Sequence, residues 1–97
     1  MFARIGTWQG TPEELNEWIE RSRTVVKPNI EKDPGLKAVY WLVDRDAGQG
    51  IIFTIWESEQ AMQLSEVARA RRQAAMGGKT GAKVTTARFE VVDTLFV

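Results

Sequence analysis

Residues 50–62 read Gly-Ile-Ile-Phe-Thr-Ile-Trp-Glu-Ser-Glu-Gln-Ala-Met, and the change of character halfway along this stretch decides the fold. Up to Trp56 it is a run of β-branched and aromatic residues, which suit a pleated strand. At Ser58 a hydroxyl is placed to cap the free amides of a first helical turn, and Glu57 and Glu59 favour the positive end of a helix dipole. A strand therefore runs straight into a helix. The junction sets Trp56 at the mouth of whatever space lies between sheet and helix.

Working outward, residues 2–9 read as a first strand, with Arg4, Gly6 and Trp8 on one face and Ala3, Ile5 and Thr7 on the other. Gly10-Thr11-Pro12-Glu13-Glu14 is a helix start: Thr11 as N-cap, Pro12 at the first helical position, then two acids. This helix carries Leu15, Trp18, Ile19, Val25 or Val26, and Ile30 at three- and four-residue spacings. Pro28 is expected to end or kink it, and Asp33-Pro34-Gly35 to form a turn. A second strand follows over residues 36–45, apolar on both parities. Asp46-Ala47-Gly48-Gln49-Gly50 connects it as a hairpin to a third, over residues 51–57. The second helix spans residues 59–75 with a weak stripe of Ala61, Leu64, Ala68 and Ala75. Met76-Gly77-Gly78-Lys79-Thr80-Gly81 breaks it and reads as mobile. Residues 84–97 form a long last strand, with Val84, Val92 and Phe96 against Ala87, Phe89, Val91 and Leu95.

The order is β-α-β-β-α-β, a ferredoxin-like α+β fold with a four-stranded antiparallel sheet and both helices on one face. A sheet covered on one side only should alternate apolar and polar residues. Strands two, three and four are apolar on both faces, so the second face calls for a partner. In so short a chain the simplest partner is a second copy, giving a homodimer with sheets packed face to face.

Composition narrows the chemistry. The 97 residues suit one domain, residues 1–97, with 43% hydrophobic and 27% charged residues. Thirteen basic and thirteen acidic side chains cancel, so no global field points to nucleic acid or to a membrane surface. No apolar run approaches the ~20 residues of a membrane span, and no secretory leader is evident, which makes the cytoplasm the expected location. The absence of Cys and His removes thiolate nucleophiles, zinc-thiolate sites, Ser-His-Asp triads and histidine-ligated iron. The Asp-x-Asp at Asp44-Arg45-Asp46 is not followed by the third acid, the glycine and the distal Glu of a calcium loop, so no metal is expected.

With these elements in place, the chain resembles the dimeric α/β-barrel superfamily, in particular its branch related to antibiotic-biosynthesis monooxygenases. The resemblance rests on the element order, on Pro34-Gly35-Leu36 opening strand two, and on Thr54-Ile55-Trp56-Glu57-Ser58-Glu59-Gln60-Ala61. It implies a dimeric α/β barrel whose substrate sits between sheet and helices, with Trp56 lining that cavity. Characterised members of the branch oxidise polycyclic phenols or anthrones to quinones without metal or flavin, and another group opens haem. The haem group also uses a helix-two histidine and a strand-one asparagine, and this chain has neither. Other superfamily members are stress proteins, isomerases or ligand sensors.

The candidate substrate-binding residues are Trp56, Trp41, Tyr40, Thr54 and Arg88. Trp56 either stacks on a flat ligand or plugs the end of the core. Tyr40 and Trp41 are adjacent and must point to opposite faces. If the hairpin turn is Asp46–Gln49, Trp41 lies opposite Thr54 on the face of Trp56; a slip of one residue substitutes Tyr40, the only phenol. Trp8 and Trp18 read as packing residues. Arg4 and Arg88, with Glu90 and Asp93, place charges inside otherwise apolar strands, and Arg88 either reaches the helix-side cavity or pairs with Glu90 or another carboxylate at the rim. Arg69, Arg71, Arg72, Lys79 and Lys83 form a basic run, read as a solvated face. Gly78-Lys79-Thr80 fails as a phosphate loop, because Gln73 stands where the earlier glycine belongs. Two readings follow. One is a cofactor-independent monooxygenase of a small polycyclic or phenolic aromatic, with no catalytic residue assigned. The other is a non-catalytic homodimeric protein of the same fold that binds a small apolar ligand or serves a stress response.

Overall fold

The computed structural model describes residues 1–75 and 83–97, and the side chains of residues 1–70 and 85–97. Its elements are β1 (Phe2–Gln9), α1 (Pro12–Arg21), a π-helical turn (Ser22–Val26), α2 (Lys27–Ile30), β2 (Leu36–Asp44), β3 (Gln49–Trp56), α3 (Glu59–Ala75) and β4 (Lys83–Glu90). All strand pairs are antiparallel, in the order β2-β3-β1-β4. This is the ferredoxin-like arrangement read from the sequence.

Thr11 opens α1 as expected. Its hydroxyl accepts from the Glu14 amide at 3.2 Å, while the Glu14 carboxylate accepts from the Thr11 amide at 3.0 Å. Pro28 does not end the helical arm. The arm widens into a π-helical turn just before it, with the Lys27 amide donating to the Ser22 carbonyl. A wider turn relieves the clash between the proline ring and the preceding turn, and helix persists to Ile30. Leu15 is 1% exposed, and Trp18 stacks on Trp8 with ring centroids 6.0 Å apart. That stack needs Gly50, because a Cβ there would lie 2.8 Å from the Trp18 ring. Gly50 therefore belongs to β3 rather than to the connection.

The β2–β3 hairpin turns one residue earlier than expected. Asp44 pairs with Gln49, Gly48 takes a positive φ of 64°, and Trp41 faces Ile52 rather than Thr54, which faces Val39. The shift is two residues along the strand, so the assignment of faces survives. Helix α3 starts where Ser58 caps it, with its hydroxyl accepting from the Ala61 amide at 3.1 Å.

Two expectations need correcting. The buried side of α3 is Met62 and Ser65, 2% and 5% exposed, whereas Leu64 is 63% exposed. The helix turns its polar Ser65–Glu66 edge toward Arg4, which a purely apolar stripe does not anticipate. The last strand ends at Glu90 rather than running to residue 97. Glu90 pairs with Phe2, one further bond joins the Val91 amide to the Met1 carbonyl, and residues 91–97 leave the sheet. Val92, Leu95, Phe96 and Val97 project, all more than four-fifths exposed.

The helices cover one sheet face, α3 lying on β1 and β3 and α1 on β3. On the other face Tyr40, Leu42 and Phe89 are exposed, and Ile5, Ile51, Phe53 and Ile55 are half-buried. The helix-breaking residues 76–81, Gly78-Lys79-Thr80 among them, and the side chains of Arg71, Arg72, Lys83 and Val84 lie outside the described residues.

Candidate functional site

The helix-side face carries Arg4 of β1, Thr54 and Trp56 of β3 and Arg88 of β4, since Arg4 is paired with Thr54 on one side and with Arg88 on the other. Trp56 is 1% exposed. Its indole Nε1 donates to Thr54 Oγ1 at 2.9 Å, and Thr54 Oγ1 donates to the Arg4 carbonyl at 3.2 Å. The Arg4 guanidinium lies over the Trp56 ring, 5.4 Å from its centroid. An alternating strand thus puts a cation in the core, 8% exposed, where it must be satisfied. Helix α3 does this. Arg4 Nη1 donates to Ser65 Oγ at 2.9 Å and to the Met62 carbonyl at 3.4 Å, and sits 3.6 Å from Glu66 Oε1.

Glu66 is the hub. The same Oε1 accepts from Arg88 Nε at 2.6 Å. That bond, above all, holds the Glu66 carboxyl below its ordinary range against the opposing effect of burial, with Arg4 assisting. Burial, then the nearby Arg69, pulls the Arg4 guanidinium down. Glu66 raises that of Arg88. The carboxylate stays ionised and engaged, which suits a structural bridge better than a general base.

Beside this hub lies a cavity of about 230 Å³ lined by Arg4, Glu66, Arg69, Ala70, Thr86 and Arg88. It lies between α3 and strands β1 and β4 and opens to solvent at Arg88, which is half exposed. Three guanidiniums against one carboxylate make it electropositive. A second cavity, about 330 Å³, lies between α3 and the Asp33-Pro34-Gly35 turn, against Ala61, Leu64, Ser65 and Ala68.

Of the five residues named from sequence, Arg88 lines the first cavity, and Thr54 and Trp56 stand behind it through Arg4. Trp41 shares their face but sits on β2, at the far edge of the sheet. Its buried indole Nε1 has no hydrogen-bond partner among the described residues. Tyr40 lies on the opposite face, 56% exposed, with its ring 6.3 Å from that of Phe53. Within a protomer the phenol cannot reach the cavity. Glu66 does not stand out in the sequence, although it is the sole acid between Glu59 and Glu90. Arg4 stands out only as a charge in an apolar strand, and that misfit is itself the signal of a polar site.

The chain belongs to the antibiotic biosynthesis monooxygenase family, whose model matches residues 1–75. Among its relatives are two uncharacterized Mycobacterium tuberculosis proteins. Rv2558 is 35% identical over 78 residues, 78% of this chain and 33% of that protein; Rv2557 is 35% identical over 65 residues, 67% and 29%. The chain thus spans about a third of the length of these relatives. Among solved structures, the ActVA-Orf6 monooxygenase of Streptomyces coelicolor in complex with nanaomycin D superposes with a TM-score of 0.77 at 17% identity, covering 99% of this chain and 91% of that one. The heme-degrader MhuD of Mycobacterium tuberculosis, with two hemes bound, gives 0.69 at 22%, covering 99% and 100%. SnoaB, a cofactor-independent oxygenase from Streptomyces nogalater, gives 0.66 at 16%, covering 97% and 95%. At such identities the likeness shows the fold.

Proposed function

We propose that this chain is a cofactor-independent monooxygenase that oxidises a small phenolic aromatic, working as a homodimer in the cytoplasm. The observation that carries this reading is the electropositive cavity whose inner wall is a buried arginine against Trp56. Neighbouring positive charge favours the ionised form of a bound phenol, so its proton passes to water at the open mouth without a dedicated base. The phenolate gives one electron to dioxygen, and the resulting superoxide is held by the same guanidiniums. The radical pair joins at a ring carbon, and the hydroperoxide loses water to leave a quinone carbonyl. One oxygen atom enters the product and the other leaves as water. The hydrogens of that water are the phenolic proton and the hydrogen of the attacked carbon, and the substrate supplies every electron. Haem turnover through a proximal histidine is not open to a chain with no histidine.

The cavity is smaller than the ~300–1,000 Å³ usual for drug-sized ligands, which favours one or two rings. The test is oxygen uptake by metal-free protein with a panel of hydroquinones, naphthols and anthrones, with Arg88→Gln alongside. Uptake above the spontaneous rate, falling about tenfold or more in the variant, supports oxygenation at this site. No uptake across the panel favours the second reading, a homodimeric small-ligand-binding or stress-related protein. The engagement of Glu66 by two arginines, which leaves no free carboxylate among the described residues that line the cavity, speaks for that alternative.

A further inference from the structure

The charge of the cavity exceeds what a phenolate can answer. Among the described residues, its lining holds Arg4, Arg69 and Arg88 against the single carboxylate of Glu66, an excess of two positive charges. Glu66 is already shared between Arg4 and Arg88, whereas Arg69 makes no hydrogen bond or ion pair among the described residues. Nor does the intervening sequence supply a hidden counter-charge. Between Glu66 and Glu90 the chain has six Lys and Arg residues and no Asp or Glu, in a protein whose overall charge is zero. Like charges gathered this closely repel, and Arg69 contributes to lowering the Arg4 guanidinium. Such an arrangement is relieved by an anion in the cavity.

We propose that the ligand carries a carboxylate beside its ionisable hydroxyl, with Arg69 and Arg88 receiving the acid group at the mouth and Arg4 facing the phenolate further in. The substrate class is thus a hydroxyaryl carboxylic acid of one or two rings, a narrowing that rests on the monooxygenase reading for its chemistry but not for its binding. A guanidinium pairs with a carboxylate through two parallel hydrogen bonds, which fixes the orientation of a flat ligand as well as its charge.

The test is calorimetric titration of the intact protein with 1-hydroxy-2-naphthoate, 1-naphthol and 2-naphthoate. The hydroxynaphthoate should bind about tenfold or more tightly than 1-naphthol, the increment of one charge-assisted hydrogen bond. Its advantage should shrink as salt is raised, and largely vanish in Arg69→Gln while Arg69→Lys keeps part of it. Equal affinity for the naphthol and the hydroxynaphthoate would overturn the inference, as would a preference that Arg69→Gln leaves intact. Because binding is read without turnover, the two failures separate. A carboxylate preference without oxygen uptake upholds this site and removes the oxygenation. Uptake of neutral phenols with no carboxylate preference does the reverse.

Discussion

Arg4 joins the core to the site. It is buried over an indole ring and beside Ser65, yet its loss would strand no partner. Glu66 would keep Arg88 at 2.6 Å, and Ser65 Oγ would keep its bond to the Met62 carbonyl. Removing one member of a buried pair is costly chiefly when the other is left uncompensated. Arg4→Met should therefore change unfolding free energy by no more than about 1 kcal/mol in urea titration, while weakening binding of a phenolate or carboxylate. A loss above about 3 kcal/mol would mean that Arg4 is there to hold the fold together. Glu66 carries a pH signature. Its folded pKa is depressed, so its contribution is fully present above the unfolded value near pH 4.3 and is lost as pH falls through the lower folded value. Wild type should accordingly exceed Glu66→Gln in stability at neutral pH and lose that advantage on acidification below about pH 4.3. A difference that stays constant from neutrality to strong acid would show that the Glu66–Arg88 bond is not held in solution.

Among the elements, the starts of the helices are the most legible features, because a cap is a local contract between two or three neighbouring residues. Thr11→Ala should cost about 1 kcal/mol by thermal or chemical unfolding, since it removes the acceptor for the Glu14 amide at the head of α1. Gly50→Ala tests a contact that no local pattern contains. Its new methyl would meet the Trp18 ring at 2.8 Å, inside the stack of Trp18 on Trp8. The expected loss is about 1–3 kcal/mol, and a neutral outcome would mean that the helical arm can lift off β3. The contrast explains where sequence reading stops. Gly50 looks like a turn residue until the helix that needs its missing side chain is placed above it. The hairpin register differs by two for a related reason. Hydrophobic alternation determines which face a residue takes, but Gly48 sets where the chain turns, and four-residue loops one position apart read almost alike. Trp41 thus keeps its face while its partner is Ile52 in place of Thr54. In α3 the apolar stripe misleads, because the buried edge exists to serve a charged residue on β1, sixty positions away.

At the scale of the whole molecule, the sheet is finished on one side only. Ile5, Phe53 and Ile55 form the middle of the open face, with Tyr40 and Leu42 on one flank and Phe89 on the other, and those three flanking residues are exposed. A contiguous apolar face of this kind is costly in water, and the two-sided apolar character of its strands is legible in the sequence. The end of β4 is not. Strand propensity continues to Val97, but the pairing with β1 stops at Glu90, and four large apolar residues of the C-terminal segment are exposed as well. Both surfaces call for the same remedy, a second copy related by a two-fold axis, so that each open face covers the other. The 11.0 kDa chain should therefore run at about twice that mass in light scattering at micromolar concentration. Phe53→Lys places an unpaired charge at the middle of the face, and should give a monomer that keeps its far-ultraviolet circular dichroism. Since the Arg4–Arg69–Arg88 cavity lies on the other side of the sheet, that monomer should retain measurable affinity for an aromatic carboxylate. Loss of that affinity in a folded monomer would show that the partner helps to build the cavity. A wild-type chain that is monomeric at every concentration would refute the two-sided-sheet argument itself, because among the described residues nothing within one protomer covers that face.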